Sequence, residues 1–144
     1  VYTTILHATD LSANHYDICK QAAEIAHKFR AKLHLIHVIE PPPSWQIAQG
    51  LGFAEVTAPY KENAETVMRC LGEALNIPVE QQHVKIGSVK TQILDEIKAL
   101  AAGLVIIGSH TPNAFPSILG STAHAVVNHA SCDVMTLRNK ASSG

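Results

Sequence analysis

The chain has 144 residues, 47% of them hydrophobic, and a formal net charge of -1 at pH 7 with histidine neutral. That length and composition suit one domain with a sizeable core. The small net charge argues against a nucleic-acid binder held by a basic patch, because little counterion release would drive it. No apolar run reaches the length of a membrane span and none reads as a signal peptide. The three cysteines, Cys19, Cys70 and Cys132, are far apart and form no C-x-x-C, which argues against a disulfide framework or a zinc knuckle. The expectation is a soluble cytoplasmic protein with free thiols.

Taken in order, Ile5 to Thr9 is a short apolar-leaning run ended by Asp10, a first strand. From His15 to Phe29 the apolar residues Ile18, Ala22, Ile25, Ala26 and Phe29 fall on one helical face. Leu33 to Ile39 is a second, nearly continuous apolar strand, which suits burial on both faces. Three prolines, Pro41 to Pro43, cannot continue a ladder, and residues 44 to 59, broken by glycines, read as a long connection. A second helix spans roughly Tyr60 to Leu75 and is ended by Asn76 and Pro78. Val79 to Ile86 carries polar residues on both faces, the pattern of an edge strand. Ser88 is a candidate N-cap for a third helix with Val89, Ile93, Ile97 and Leu100 on its face, and Gly103 stands at the expected C-terminal glycine position.

Leu104-Val-Ile-Ile107 is a strand of the kind buried on both faces, stopped by Gly108. A loop with Pro112 and Pro116 follows, and Gly120-Ser121-Thr122 opens a last helix with Ala123, Val126, Val127 and Ala130 on its apolar face. Unpaired N–H groups at a helix start, small residues and two hydroxyls together suit a phosphate, although Gly-Ser is also ordinary capping chemistry. A final strand covers Val134 to Leu137.

The alternation of strands and helices predicts an α/β fold, a single domain over residues 1–144 with an open five-stranded parallel sheet and helices on both faces. The polar third strand belongs at an edge and strands one and four in the middle, so the predicted order is 3-2-1-4-5. Ligands in such Rossmann-like sheets bind beyond the strand carboxyl ends where the order reverses. Here those ends are Thr9-Asp10 and Gly108-Ser109, so the topology and the phosphate reading select one crevice.

The residues resemble the universal stress protein family of the UspA type over nearly the whole length. Ile5-Leu-His-Ala-Thr-Asp-Leu-Ser12 is similar to its opening strand, and Leu35-Ile-His-Val-Ile-Glu40 to its second. Val105-Ile-Ile-Gly-Ser-His110 with Gly120-Ser-Thr-Ala123 is similar to its nucleotide loop, and Cys132-Asp-Val-Met-Thr-Leu-Arg138 to its final strand. The resemblance implies that Ala8, Thr9 and Asp10 line the adenosine side, with Asp10 near ribose or a phosphate-bound Mg²⁺. Val38 would meet adenine through its backbone. Ile107, Gly108, Ser109 and His110 would line the ribose and phosphate approach, and Gly120, Ser121 and Thr122 would hold the phosphates. It further implies ATP or another adenine nucleotide (AMP or ADP) as ligand, a stress-response role, and a homodimer formed through Val134, Met135, Thr136 and Leu137. An unidentified protein partner would read the nucleotide state. The loop departs from the ATP-binding pattern of the family: Thr111 stands where a second glycine is expected, and eight residues rather than nine separate it from Gly120.

Other chemistry has less support. Nine histidines invite a metal site, but His34 and His37 face opposite sides of a strand and no H-E-x-x-H occurs. There is no G-x-S-x-G elbow and no catalytic residue is assigned. Two alternatives stay open: a nucleotide-free dimeric interaction protein, favoured by Thr111 and Pro112, and a slow ATPase, for which Asp10 is the well-placed carboxylate.

Overall fold

A computed structural model describes residues 1–11, 15–51, 58–108 and 121–138. Its elements are β1 (Thr4–Ala8), α1 (Tyr16–Phe29), β2 (Lys32–Ile39), α2 (Pro43–Gly50), α3 (Ala58–Leu75), a single 3₁₀ turn (Val79–Gln81), β3 (Gln82–Ile86), α4 (Val89–Leu100), β4 (Leu104–Gly108), α5 (Ser121–His129) and β5 (Asp133–Leu137). The five strands form one sheet in the order β3-β2-β1-β4-β5, and every neighbouring pair is parallel.

The central strands read as continuous apolar runs because both of their faces are covered. In register, Ile5 lies beside Leu33 and Leu104, and Leu6 beside His34 and Val105. The two-residue period then sorts the side chains. Ile5, Leu33, Leu35, Leu104 and Ile106 pack against Ala22 and Ala26 of α1 and Met68 of α3. Leu6, Ile36, Val105 and Ile107 pack on the other side against Ile93 and Ile97 of α4 and Ala123 and Val126 of α5. Each of these side chains contributes on the order of 1.5–3 kcal/mol where it is a fully buried Val, Leu, Ile or Met.

Three expectations are corrected. Residues 44 to 59 are not one long connection, because α2 occupies Pro43–Gly50. The last of the three prolines is its first residue, where a fixed φ and a missing N–H cost nothing. The third strand does not start at Val79: residues 79–81 make a 3₁₀ turn after Pro78 and the strand begins at Gln82. Gly103 is not the end of α4. Ala101 takes the left-handed conformation there (φ 51°) and returns its N–H to Lys98, while the Gly103 N–H bonds Thr4 O at 3.0 Å as part of the sheet margin. Ser88 does cap α4, its side chain accepting the Thr91 N–H at 3.4 Å.

Gly72 joins α3 to the sheet edge. Its carbonyl accepts the Ile77 N–H at 2.8 Å, and a Cβ added there would lie 2.8 Å from Ile77 O with the Gln82 side chain also in the way. Helix propensity alone predicts that Gly72→Ala stabilises by about 1 kcal/mol. The contact with a backbone oxygen reverses that sign, so the variant is expected to be less stable than the parent in urea denaturation.

Candidate functional site

A crevice of about 250 Å³ opens beyond the carboxyl ends of β1, β2 and β4, near the low end of small-ligand cavities. β1 and the turn after it supply Ala8, Thr9 and Asp10; β2 supplies Ile36, His37 and Val38. Ile107 and Gly108 come from β4, Val89 and Ile93 from α4, Thr122 and Ala123 from the first turn of α5, and His15 from the entry to α1. The walls are therefore apolar on the α4 side and polar where β1 ends.

Several local bonds fix these positions. The Thr9 N–H bonds Ile36 O at 2.9 Å, its carbonyl accepts His37 Nδ1–H at 2.9 Å, and its hydroxyl accepts the Leu11 N–H at 3.1 Å. Leu11 is held at φ 61°, a left-handed value that a side chain disfavours. Glu40, at the end of β2, accepts the N–H of Val89 at 3.0 Å and so supplies a carboxylate at the positive end of α4. Gly108 is a glycine for want of space: a Cβ would come within 2.8 Å of His15 Cε1 and 2.9 Å of Ile18 Cδ1. His15 Nε2 lies 3.6 Å from Asp10 Oδ2, and its buried Nδ1 has no hydrogen-bond partner among the described residues.

The pattern of the universal stress protein family matches residues 2–138 of this chain. The chain belongs to that family. It is 35% identical over 143 residues to universal stress protein A homolog 2 of Coxiella burnetii, covering 98% of each chain. It is 31% identical over 144 residues to homolog 1 of the same organism, covering 94% of this chain and 96% of the relative. Among solved structures, the fold is similar to UspA of Lactobacillus plantarum (TM-score 0.67, 26% identity, 95% and 98% of the two chains). It is also similar to a universal stress protein solved in complex with cAMP (TM-score 0.71, 16% identity, 96% and 98%).

Of the residues that the family resemblance singles out, Ala8, Thr9, Asp10, Val38, Ile107, Gly108 and Thr122 come together in the crevice. Ser121 is the first residue of α5. Ser109, His110 and Gly120 lie outside the described residues, as does Thr111. His15, Ile36, His37, Val89, Ile93 and Ala123 line the crevice without having been singled out. Val89 and Ile93 are one helical turn apart at the start of α4 and read as plain core in sequence. His37 reads only as a failed metal ligand, although it directly precedes Val38.

Among the described residues no group of three His, Cys, Asp or Glu side chains is gathered to hold a metal, and no helix is long and apolar enough to cross a membrane. The nearest approach to a cluster lies away from the crevice. His34 Nδ1 is 2.9 Å from His83 Nε2, and His83 Nδ1 is 3.3 Å from Glu96 Oε1. The two rings are 14° from parallel with centroids 5.2 Å apart. With so short an N···N contact, that spacing means they meet edge to edge in one plane rather than face to face. Burial pushes both imidazoles below their ordinary pKa; Glu96 opposes this for each, while neighbouring His83 and Lys32 lower His34 further and Lys85 lowers His83.

Beneath the crevice, His7 is fully buried, and desolvation pushes its pKa down from 6.5 to about 4, opposed by its bond to Ile106 O. The folded state thus keeps His7 neutral while the unfolded chain protonates near 6.5. Its contribution is fully present above pH 6.5 and is lost as pH falls toward 4, on the order of 3 kcal/mol in all. The expected outcome is that stability of the wild type falls across this window more steeply than that of His7→Met. Urea denaturation at several pH values from 4 to 7.5 measures both slopes, and equal slopes would rule His7 out as the cause.

Proposed function

We propose that this chain is a single universal stress protein domain that binds ATP or another adenine nucleotide in the crevice between β1 and β4, and that it acts in the cytoplasm as a dimeric sensor or regulator. The observation that carries the reading is the convergence of Asp10, Val38, Gly108 and Thr122, from four separate parts of the chain, on one cleft at the point where the strand order reverses. The apolar wall of Ile36, Val38, Val89 and Ile93 suits the face of a base. The start of α5, with Ser121 and Thr122, suits phosphate oxygens, and Gly120 with Ser109 and His110 would complete that end. Asp10 is 58% exposed at the rim. One carboxylate beside a phosphate end fits a Mg²⁺ ion that arrives with the nucleotide and keeps its remaining ligands from phosphate and water. A protein of this fold was solved with cAMP, an adenine nucleotide, so cAMP belongs in any ligand panel beside ATP, ADP and AMP.

Titration calorimetry with these four nucleotides, with and without Mg²⁺, tests the reading. Saturable binding is expected, weakened at least about tenfold, or 1.4 kcal/mol, by Asp10→Ala. Thr122→Asp, which sets a negative charge at the start of α5, is expected to weaken phosphate-bearing ligands in proportion to their charge. Absence of binding by all four in folded, nucleotide-free protein would leave the nucleotide-free interaction protein as the reading.

The edge of the sheet supports the dimer. β5 is an edge strand, with β4 on one side and apolar Val134, Met135 and Leu137 half-buried along it. An edge of this composition needs covering, and a second copy with Thr136 at its centre would supply it. Light scattering is expected to return twice the 15.5 kDa chain mass; the monomer mass would remove the dimer from the proposal.

A further inference from the structure

Under the crevice runs a string of four hydrogen bonds that no ligand contact requires. His7 Nδ1 is 2.9 Å from Ile106 O, and His7 Nε2 is 3.4 Å from Cys19 Sγ. Cys19 Sγ is 3.4 Å from Thr9 Oγ1, which is 3.1 Å from the Leu11 N–H. The two ends have fixed polarity: a carbonyl can only accept and a backbone N–H can only donate. His7 therefore carries its proton on Nδ1, and its Nε2 is a bare acceptor in a fully buried place. A buried acceptor needs a donor, and the Cys19 thiol is the group beside it. Thr9 Oγ1 receives the Leu11 N–H and turns its own proton toward Cys19 Sγ. With the protons placed so, every atom of the string is satisfied; turning the thiol toward Thr9 instead would orphan Nε2. The bonds run one way, from Leu11 through Thr9, Cys19 and His7 to Ile106.

Neither His7 nor Cys19 lines the crevice, yet the far end of the string does. Thr9 is a wall residue, and Asp10 sits between Thr9 and the left-handed Leu11. The hydroxyl bond from Thr9 to the residue two ahead closes that turn. We propose that Cys19 and His7 are positioning residues of the crevice: they hold the Thr9 hydroxyl in the rotamer that closes the Leu11 turn, and so place the Asp10 carboxylate at the rim. What is placed matters for nucleotide only on the function proposed above; the placement itself can be read without any ligand.

The experiment is amide hydrogen exchange at Asp10 and Leu11 in ligand-free wild type, Cys19→Ala and Cys19→Ser, with AMP titration of the same three proteins. Serine keeps one donor and one acceptor at the position, whereas alanine keeps neither. Cys19→Ala is expected to speed exchange at Leu11 at least tenfold relative to the amides of Ile106 and Ile107, and to weaken AMP at least fivefold. Cys19→Ser is expected to restore most of both. If Cys19→Ala does not fold, His7→Gln replaces it, since it disturbs the other end of the string and is expected to free the same amide. Serine and alanine variants that exchange alike at Leu11 would overturn the proposal, because a packing role does not distinguish them in that direction. A loss of AMP affinity with Leu11 still protected would also overturn it. If wild type binds no AMP while Leu11 follows the expected order, the nucleotide reading fails and the positioning role stands.

Discussion

The pairing of β1 with β4, Ile5 beside Leu104 through Ala8 beside Ile107, is the constraint on which the rest of the structure depends. After β1 the chain crosses over α1 to β2 on one side; when it returns as β4 it adds on the other side of β1. Right-handed crossovers then send α1 and α5 to opposite faces of the sheet. The packing shows this: Ala22 and Ala26 of α1 lie with Ile5 and Ile106, whereas Ala123 and Val126 of α5 lie with Leu6 and Ile107. Two adjacent strands whose outgoing chains diverge must leave a cleft between those chains. The crevice is thus a consequence of strand order, and its chemistry is whatever residues happen to end β1 and β4.

The end of β4 carries a glycine for a steric reason. At Ala8 and Gly108 the two strands are finishing their pairing while α1 swings across on one face. Gly108 leaves the room that His15 and Ile18 take up, so the entry of α1 packs down onto β4 and the floor closes on that side. On the opposite face Val89 and Ile93 make the wall. Their helix is anchored across the sheet top by Glu40, from the neighbouring strand, on the Val89 N–H. The wall is therefore held by polar bonds at its rim and by apolar packing at its base.

The sequence makes the sheet order legible because burial is recorded in strand composition. Leu104 to Ile107 has no polar residue to offer a solvent face, and Gln82, His83 and Lys85 leave β3 unfit for the middle. What is hidden follows a different logic. Pro43 reads as a third breaker when counted with Pro41 and Pro42, but its position as the first residue of α2 makes it a starter. Ala101 gives no sign that it, rather than Gly103, takes the left-handed position, since that depends on where the sheet needs the Gly103 N–H. In the crevice, the family pattern marks Asp10, Val38 and Gly108, which lie at strand ends. His15 and His37 escape it because their place depends on backbone neighbours far away in sequence, Gly108 for one and the Thr9 carbonyl for the other.

Among the described residues the buried polar side chains are His7 and Thr9, both on or directly after β1. A sheet core gains nothing from polarity there: an apolar residue at position 7 would pack against Ile106 without the desolvation cost of an imidazole. That cost is offset only if each polar atom finds a partner, and each does, through Ile106, Cys19 and Leu11. The satisfied string ends at a turn where a strained non-glycine residue is held beside the crevice rim, Leu11 at φ 61°, a conformation that costs on the order of 1–3 kcal/mol. Polar burial and backbone strain therefore occur together, within a few ångströms of the cleft that the strand order creates. Left-handed residues also end α1 and α4, at Arg30 and Ala101; what distinguishes the crevice end of the sheet, among the described residues, is that the left-handed Leu11 is tied through the Thr9 hydroxyl to the buried polar pair His7 and Thr9.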